Sequence, residues 1–265
     1  MSYSIEMNLI DTHAHLTFDQ LAGQMDDVLA RSVEAGVTRW ITVGTEKRDN
    51  EKVLALIDGH ENLWGAVGYH PHDAKDVTDA DMALLKKQLG HARVVAVGEC
   101  GLDYHYMHSP AEIQQRVFRQ HLDIAAEVQL PVIIHTREAW DETMAILDEY
   151  AGKLKNVVIH CYGGNIEQTK MVLNRGYFIS FTGTVTFKRS DALREVAKMI
   201  PLDRLMIESD CPFISPHPVR NIRPNEPALI THTAQCLADV HGLPLAEFAE
   251  KITKTSETFF GLEHL

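Results

Sequence analysis

Two histidines separated by a single residue, His13 and His15, close the first apolar run of the chain (residues 7–10) within Ile10-Asp11-Thr12-His13-Ala14-His15. In a β-strand, side chains i and i+2 leave the same face. Both imidazoles would therefore project from one strand end, as two ligands of a shared metal ion would. The pattern alone is weak evidence in a chain with fifteen histidines. Its weight comes from repetition, because later apolar runs end in side chains of the same chemical kind. Glu99 follows the run 94–97, His135 ends 132–134, His160 ends 157–159 and Asp210 follows 205–207. Four imidazoles and two carboxylates suit zinc, manganese or another borderline divalent ion rather than calcium. Six such groups exceed one tetrahedral site and fit a pair of ions about 3.5–4 Å apart. Glu99 is expected to bridge them, with His13, His15 and Asp210 completing one site and His135 and His160 the other.

Such a set needs strand ends gathered on one rim. Eight short apolar runs occur, at residues 7–10, 40–43, 63–67, 94–97, 132–134, 157–159, 177–181 and 205–207. Helical patterns separate them: 19–35 with Gly36 as stop, 49–58, 79–89, 140–150, 166–175 and 191–199, with 226–241 and 245–260 after the last run. The helix after the fourth run is expected to open on a capping box, with Ser109 as N-cap, Pro110 at N1 and Glu112 at N3, and to end before Pro131. The runs are continuous rather than alternating, as strands buried on both faces of a parallel sheet should be. Eight β and α units in about 250 residues predict a single (β/α)8 TIM barrel of the α/β class spanning residues 1–265. An open, doubly wound sheet is the alternative. In a barrel, chemistry sits at the C-terminal ends of the strands, where all six ligand-type residues fall.

Composition sets outer limits. With 265 residues, 45% of them hydrophobic and 23% charged, the chain reads as an ordinary globular protein. A net charge of −12 argues against a basic nucleic-acid coat. It leaves room for a nuclease, since two divalent ions add four positive charges at one spot. The cysteines Cys100, Cys161, Cys211 and Cys236 form no C-x-x-C pair, which suits a reducing, cytoplasmic setting. Neither an 18-residue apolar run nor a secretory signal pattern is present, so no membrane partner is expected.

Seven blocks in order give the chain a resemblance to the TatD family of metal-dependent deoxyribonucleases, within the amidohydrolase-like barrels. They are Asp11-Thr12-His13-Ala14-His15, Gly68-Tyr69-His70-Pro71-His72, Gly98-Glu99-Cys100-Gly101-Leu102-Asp103, His135-Thr136-Arg137, His160-Cys161-Tyr162, Glu208-Ser209-Asp210-Cys211-Pro212 and Asn225-Glu226-Pro227. The departures, Ser209 for the usual Thr, Cys211 for Ala or Ser and Tyr162 for Phe, remove no ligand. The resemblance implies phosphodiester hydrolysis that trims single-stranded DNA from the 3′ end, with two divalent ions, Mg²⁺ or Mn²⁺ for activity and Zn²⁺ as a further option.

Within that reading Asp210 accepts the proton of the attacking water, beside Glu99 and His70 in the catalytic set. His70, Arg137, Asp103 and Arg223 are the candidate substrate-binding residues. His70 could bind a phosphate oxygen or protonate the leaving group, and Asp103 could fix an imidazole tautomer. Glu208 could do likewise or serve a third ion. Lys188, Arg189 and Arg220 are further candidates for the DNA backbone. His72, His105 and His108 are rim histidines that could touch substrate, whereas His121, His232 and His241 on helices are read as surface or packing residues. Cys100, Cys161 and Cys211 each follow a ligand and should point the opposite way, outside the barrel. Asn225 is expected to cap the helix beginning at residue 226. The protein is expected to be a monomer. A hydrolase of an amide or aminoacyl ester on the same metals is the competing reading, and a non-enzymatic binding barrel is a third.

Overall fold

The computed structural model describes residues 7–262. Along it run β1 (Leu9–Ala14), α1 (Asp19–Ala22), α2 (Met25–Glu34), β2 (Val37–Val43), α3 (Lys47–Asp58), β3 (Leu63–Val67), α4 (Asp79–Gln88), β4 (Val94–Asp103) and α5 (Ala111–Val128). They continue as β5 (Val132–Arg137), α6 (Trp140–Glu149), β6 (Val157–Ile159), α7 (Ile166–Asn174), β7 (Phe178–Phe181), α8 (Asp191–Lys198), β8 (Leu205–Ile207), α9 (Ile230–His241) and α10 (Leu245–Phe260). The strands are neighbours in chain order from β1 to β8, the expected (β/α)8 barrel. Every residue of β1, β3, β4, β6, β7 and β8 is buried. Burial on both faces is why these strands read as unbroken apolar runs, each large aliphatic side chain contributing about 1.5–3 kcal/mol.

By contacts the chain forms two compact units, one of the residues up to Ile41 with those from Cys161 onward, the other Thr42–His160. In the first, the segment after β8 is pinned to β1. The Asp210 N–H donates to the His13 carbonyl (2.9 Å) and the His15 N–H to that of Cys211 (2.8 Å). The Thr12 hydroxyl donates to the Ile207 carbonyl at 2.9 Å. In the second unit, β3 to β6 pair in parallel, with Cys100 opposite Ile134, Gly101 opposite His135 and Asp103 opposite Arg137.

Several boundaries differ from those the sequence predicts. The fourth strand does not stop at residue 97 but runs to Asp103, so Glu99 and Asp103 lie on the strand itself. Gly98 and Gly101 permit this with φ of +136° and +141°, a region that L side chains rarely adopt. A Cβ on Gly101 would overlap the His135 carbonyl oxygen. The helix expected over 19–35 is two helices, separated at Gly23 and Gln24.

The capping box at Ser109 does not form. Pro110 is the uncapped N-cap of α5, while the buried Ser109 hydroxyl donates to the His72 carbonyl (2.7 Å) and accepts the Lys75 N–H (3.0 Å). Capping boxes occur instead at Thr78 with Asp81 and at Asn165 with Gln168. Residues 226–241 open on a 3₁₀ turn, Pro227–Leu229, before α9. Among the described residues, no helix is long and apolar enough to cross a membrane.

Candidate metal centre

In the first unit, the end of β1 and the segment after β8 supply His13, His15 and Asp210. His13 and His15 are 0% and 3% exposed, and Asp210 is 8% exposed. The two Nε2 atoms stand 3.3 Å apart. Asp210 Oδ1 lies 3.4 Å from His15 Nε2 and 3.9 Å from His13 Nε2. The carboxylate of Asp11 ties the two segments together, Oδ1 accepting the N–H groups of Ser209 (2.8 Å) and His13 (3.3 Å). Burial pushes Asp11 up to about 7, against the hydrogen bonds from Ser209 and His13.

In the second unit, three imidazoles converge on one carboxylate oxygen. Glu99 Oε1 lies 2.8 Å from His160 Nε2, 2.9 Å from His135 Nδ1 and 3.5 Å from His70 Nε2. His160 Nε2 and His135 Nδ1 are 3.4 Å apart. The other ring nitrogen of His135 is 3.1 Å from Asp103 Oδ2, which His72 Nε2 also approaches at 3.0 Å. Asp103 Oδ1 accepts the N–H groups of His105 (3.0 Å) and Tyr106 (2.9 Å). Burial alone would raise the Asp103 pKa, but the bonds from His135, Tyr106 and His72 outweigh it and hold the carboxyl well below the usual range. Burial likewise lowers the His135 pKa, yet its bonds to Asp103 and Glu99 turn the net shift upward.

The donor geometry fits a divalent cation. Around an ion bonded by imidazole nitrogen at about 2.1 Å, tetrahedral neighbours stand about 3.4 Å apart. The 3.3 Å and 3.4 Å separations between histidine nitrogens are of that size. His135 carries the sharper argument. A neutral imidazole has one N–H; with Nε2–H donated to Asp103, the Nδ1 lone pair faces the Glu99 oxygen, and the two repel unless a positive charge lies with them. His70, Glu99 and His135 together satisfy ligand spacing. With its Nδ1 lone pair taken by the His72 N–H, a neutral His70 carries its ring proton on Nε2 toward Glu99, so it stands beside the candidate donors as a hydrogen-bond donor. A 3₁₀ turn at Pro71–Asp76 places it, with His70 Nδ1 accepting the His72 N–H.

The remaining predicted residues are more scattered. Arg137 is exposed at the end of β5, its guanidinium 4.7 Å above the Tyr106 ring. Arg223, Arg220, Lys188 and Arg189 are all exposed, Arg220 lying 3.9 Å over the Phe187 ring. Asp103 is 1% exposed with its oxygens committed to four partners, a positioning place rather than a substrate-facing one. Glu208 accepts the Cys161 N–H at 2.6 Å and so secures the turn after His160. Asn225 does not cap the helix of α9; it reaches back to donate to the Ser209 carbonyl at 2.8 Å.

Cys100 and Cys211 are buried, and burial raises both thiols above their ordinary range. At Cys161 the strand alternation used for its neighbours fails, because φ is +45° and β6 has already ended. His121 is not a surface residue. It is fully buried, Nε2 accepting the Tyr69 N–H (3.0 Å) and Nδ1 donating to the Val117 carbonyl (2.7 Å). His232 and His241 are half-buried on α9. The signal for His70 and Asp11 was present in their blocks. Asn225 and Ser109 act through distant carbonyls that local sequence does not reveal.

The TatD related DNase family profile matches residues 10–261. The chain belongs to this family. It is 38% identical over 252 residues to the uncharacterized metal-dependent hydrolase YabD of Bacillus subtilis, covering 95% of this chain and 98% of YabD. Against the 3'-5' ssDNA/RNA exonuclease TatD of Shigella flexneri, identity is 35% over 258 residues, covering 96% and 99% of the two chains. The crystal structure of YjjV, a TatD homologue from Escherichia coli K12, superposes with a TM-score of 0.91 at 31% identity, covering 97% of this chain and 99% of YjjV. The protein is accordingly a metal-dependent hydrolase acting on ester bonds, and the expectation of a barrel of this family holds.

Proposed function

We propose that this protein is a divalent-metal-dependent nuclease that removes nucleotides from the 3′ end of single-stranded DNA. The observation that carries the reading is the convergence of His135 Nδ1, His160 Nε2 and His70 Nε2 on Glu99 Oε1. His13, His15 and Asp210 would hold one ion, and Glu99, His135 and His160 the other, in a chain read as a single barrel domain. When bound, a pair of divalent ions lowers the pKa of water to about 7 and stabilises the attacking and leaving oxygens of a phosphodiester. Mg²⁺ or Mn²⁺ would serve activity, and the imidazole-rich donor set also admits Zn²⁺.

Asp210 accepts the proton of the attacking water; at 8% exposure it is more open to solvent than Glu99 at 2%. Glu99 keeps the imidazoles oriented through the contacts of its Oε1. His70, half-buried beside Glu99, protonates or hydrogen-bonds the departing oxygen. Asp103 holds the His135 ring so that Nδ1 presents its lone pair. The exposed Arg137, Arg223, Arg220, Lys188 and Arg189 take successive phosphates of the strand, supplying position rather than sequence preference. The protein would act as a monomer, and its four free cysteines suit a reducing compartment such as the cytoplasm.

The test follows 5′-labelled single-stranded DNA with Mg²⁺ or Mn²⁺, beside a Glu99→Ala variant. A ladder shortening from the 3′ end with the wild-type protein, absent with the variant, is expected. Intact DNA with both, with metal shown to be bound, would overturn the proposal in favour of an amide or aminoacyl ester substrate.

A further inference from the structure

Directly after β4 the chain reads Tyr104-His105-Tyr106-Met107-His108, four rings in five residues. His105 to His108 are all exposed, Tyr106 at 50% and Met107 at 46%. A segment so apolar and so exposed needs a reason. It is also held firmly. Asp103 Oδ1 accepts the N–H groups of both His105 and Tyr106. The Tyr104 N–H donates to the Arg137 carbonyl at 2.9 Å, and the buried Ser109 anchors the far end on His72.

The Tyr106 ring is the centre of this group. The Arg137 guanidinium lies over it at 4.7 Å. His105 and His72 meet it edge to face at 4.7 Å and 5.3 Å, and His108 stands 5.5 Å away. The carboxylate that fixes the turn also bonds His135 through its other oxygen. The aromatic surface is thus held in register with a metal-donor imidazole.

We propose that Tyr106, with Arg137 beside it, is a stacking platform for a nucleobase of the single strand being digested. The inference rests on the nuclease reading above and names how that substrate is gripped. A rigid, half-exposed ring gives a π-face that any base can cover, and the guanidinium adds a second planar surface and a charge for the adjoining phosphate. Such a grip is indifferent to sequence. It also requires unstacked bases, which selects single strands over duplex.

The test compares wild type, Tyr106→Ala and Tyr106→Phe on three substrates with Mn²⁺. These are a dT decanucleotide, the same oligonucleotide with its two 3′-terminal residues abasic, and bis(p-nitrophenyl) phosphate. Tyr106→Ala should raise KM on the dT oligonucleotide by about 5- to 100-fold, the range expected for one lost base–aromatic stack. It should leave kcat there, and both base-free substrates, unchanged. Tyr106→Phe should behave as wild type. An unchanged KM on dT, or an equal loss on all three substrates, would overturn the platform while leaving the nuclease reading intact. If wild type hydrolyses bis(p-nitrophenyl) phosphate but no oligonucleotide, the nuclease reading falls and the platform falls with it.

Discussion

Replacing Asp103 by Asn changes no volume and tests how one carboxylate serves the metal donors. Asp103 accepts four hydrogen bonds: Oδ1 from the His105 and Tyr106 N–H groups, Oδ2 from the Nε2 atoms of His135 and His72. The Asn carbonyl can keep the first two, so the turn after β4 should persist and thermal stability should change little. Its amide nitrogen, placed where Oδ2 was, turns a double acceptor into a donor facing two ring nitrogens about 3 Å away. His135 then becomes the acceptor at Nε2 and carries its proton on Nδ1, where it donates to Glu99 and no longer offers a lone pair. Partners of this kind are worth about 10- to 100-fold in metal affinity or activity, or about 1.4–2.8 kcal/mol. Calorimetric titration with Mn²⁺ or Zn²⁺ and kcat/KM should both show the loss in Asp103→Asn. Asp103→Ala, which also releases the turn carrying Tyr106, should add a KM effect on single-stranded DNA. Wild-type metal affinity in Asp103→Asn would refute the assignment of His135 Nδ1 as the donor atom.

Two further predictions concern the frame around the donors. Burial lowers the His121 pKa from 6.5 to about 4, against the hydrogen bond to Val117. Between those values the unfolded chain holds a proton that the folded chain lacks, so stability falls as pH is lowered, by about 3 kcal/mol across the window. His121→Leu should flatten this slope in urea midpoints measured from pH 4.5 to 7. At pH 7 it should lose about 1–3 kcal/mol for the orphaned Tyr69 N–H; an unaltered slope would sink the account. Gly101→Ala forces a Cβ onto the His135 carbonyl at φ +141°. The backbone strain alone costs about 1–3 kcal/mol, so the urea midpoint should drop and metal binding with it; a midpoint equal to wild type would contradict the described β4–β5 register.

What the sequence made legible was whatever has a local cause. The strands read as apolar runs because both faces of each are covered, and His13, His15, Glu99, His135, His160 and Asp210 stood out because each follows such a run. Less legible was anything whose cause lies across the fold. Strand β4 outlasts its apolar run because its far half pairs with β5 from Cys100–Ile134 to Asp103–Arg137. Ser109 and Asn225 have the residue types of helix caps and would fill that role in isolation. Each instead satisfies a backbone carbonyl far along the chain, at His72 and Ser209. A local cap yields to such a bond because a buried carbonyl left unpaired costs about as much as the cap contributes. The same logic separates Asp103 from the rim cations. A carboxylate at a strand end looks like a substrate contact until its four donors are known. Once they are, it has no oxygen left for a substrate, and its chemistry passes through the imidazole it holds.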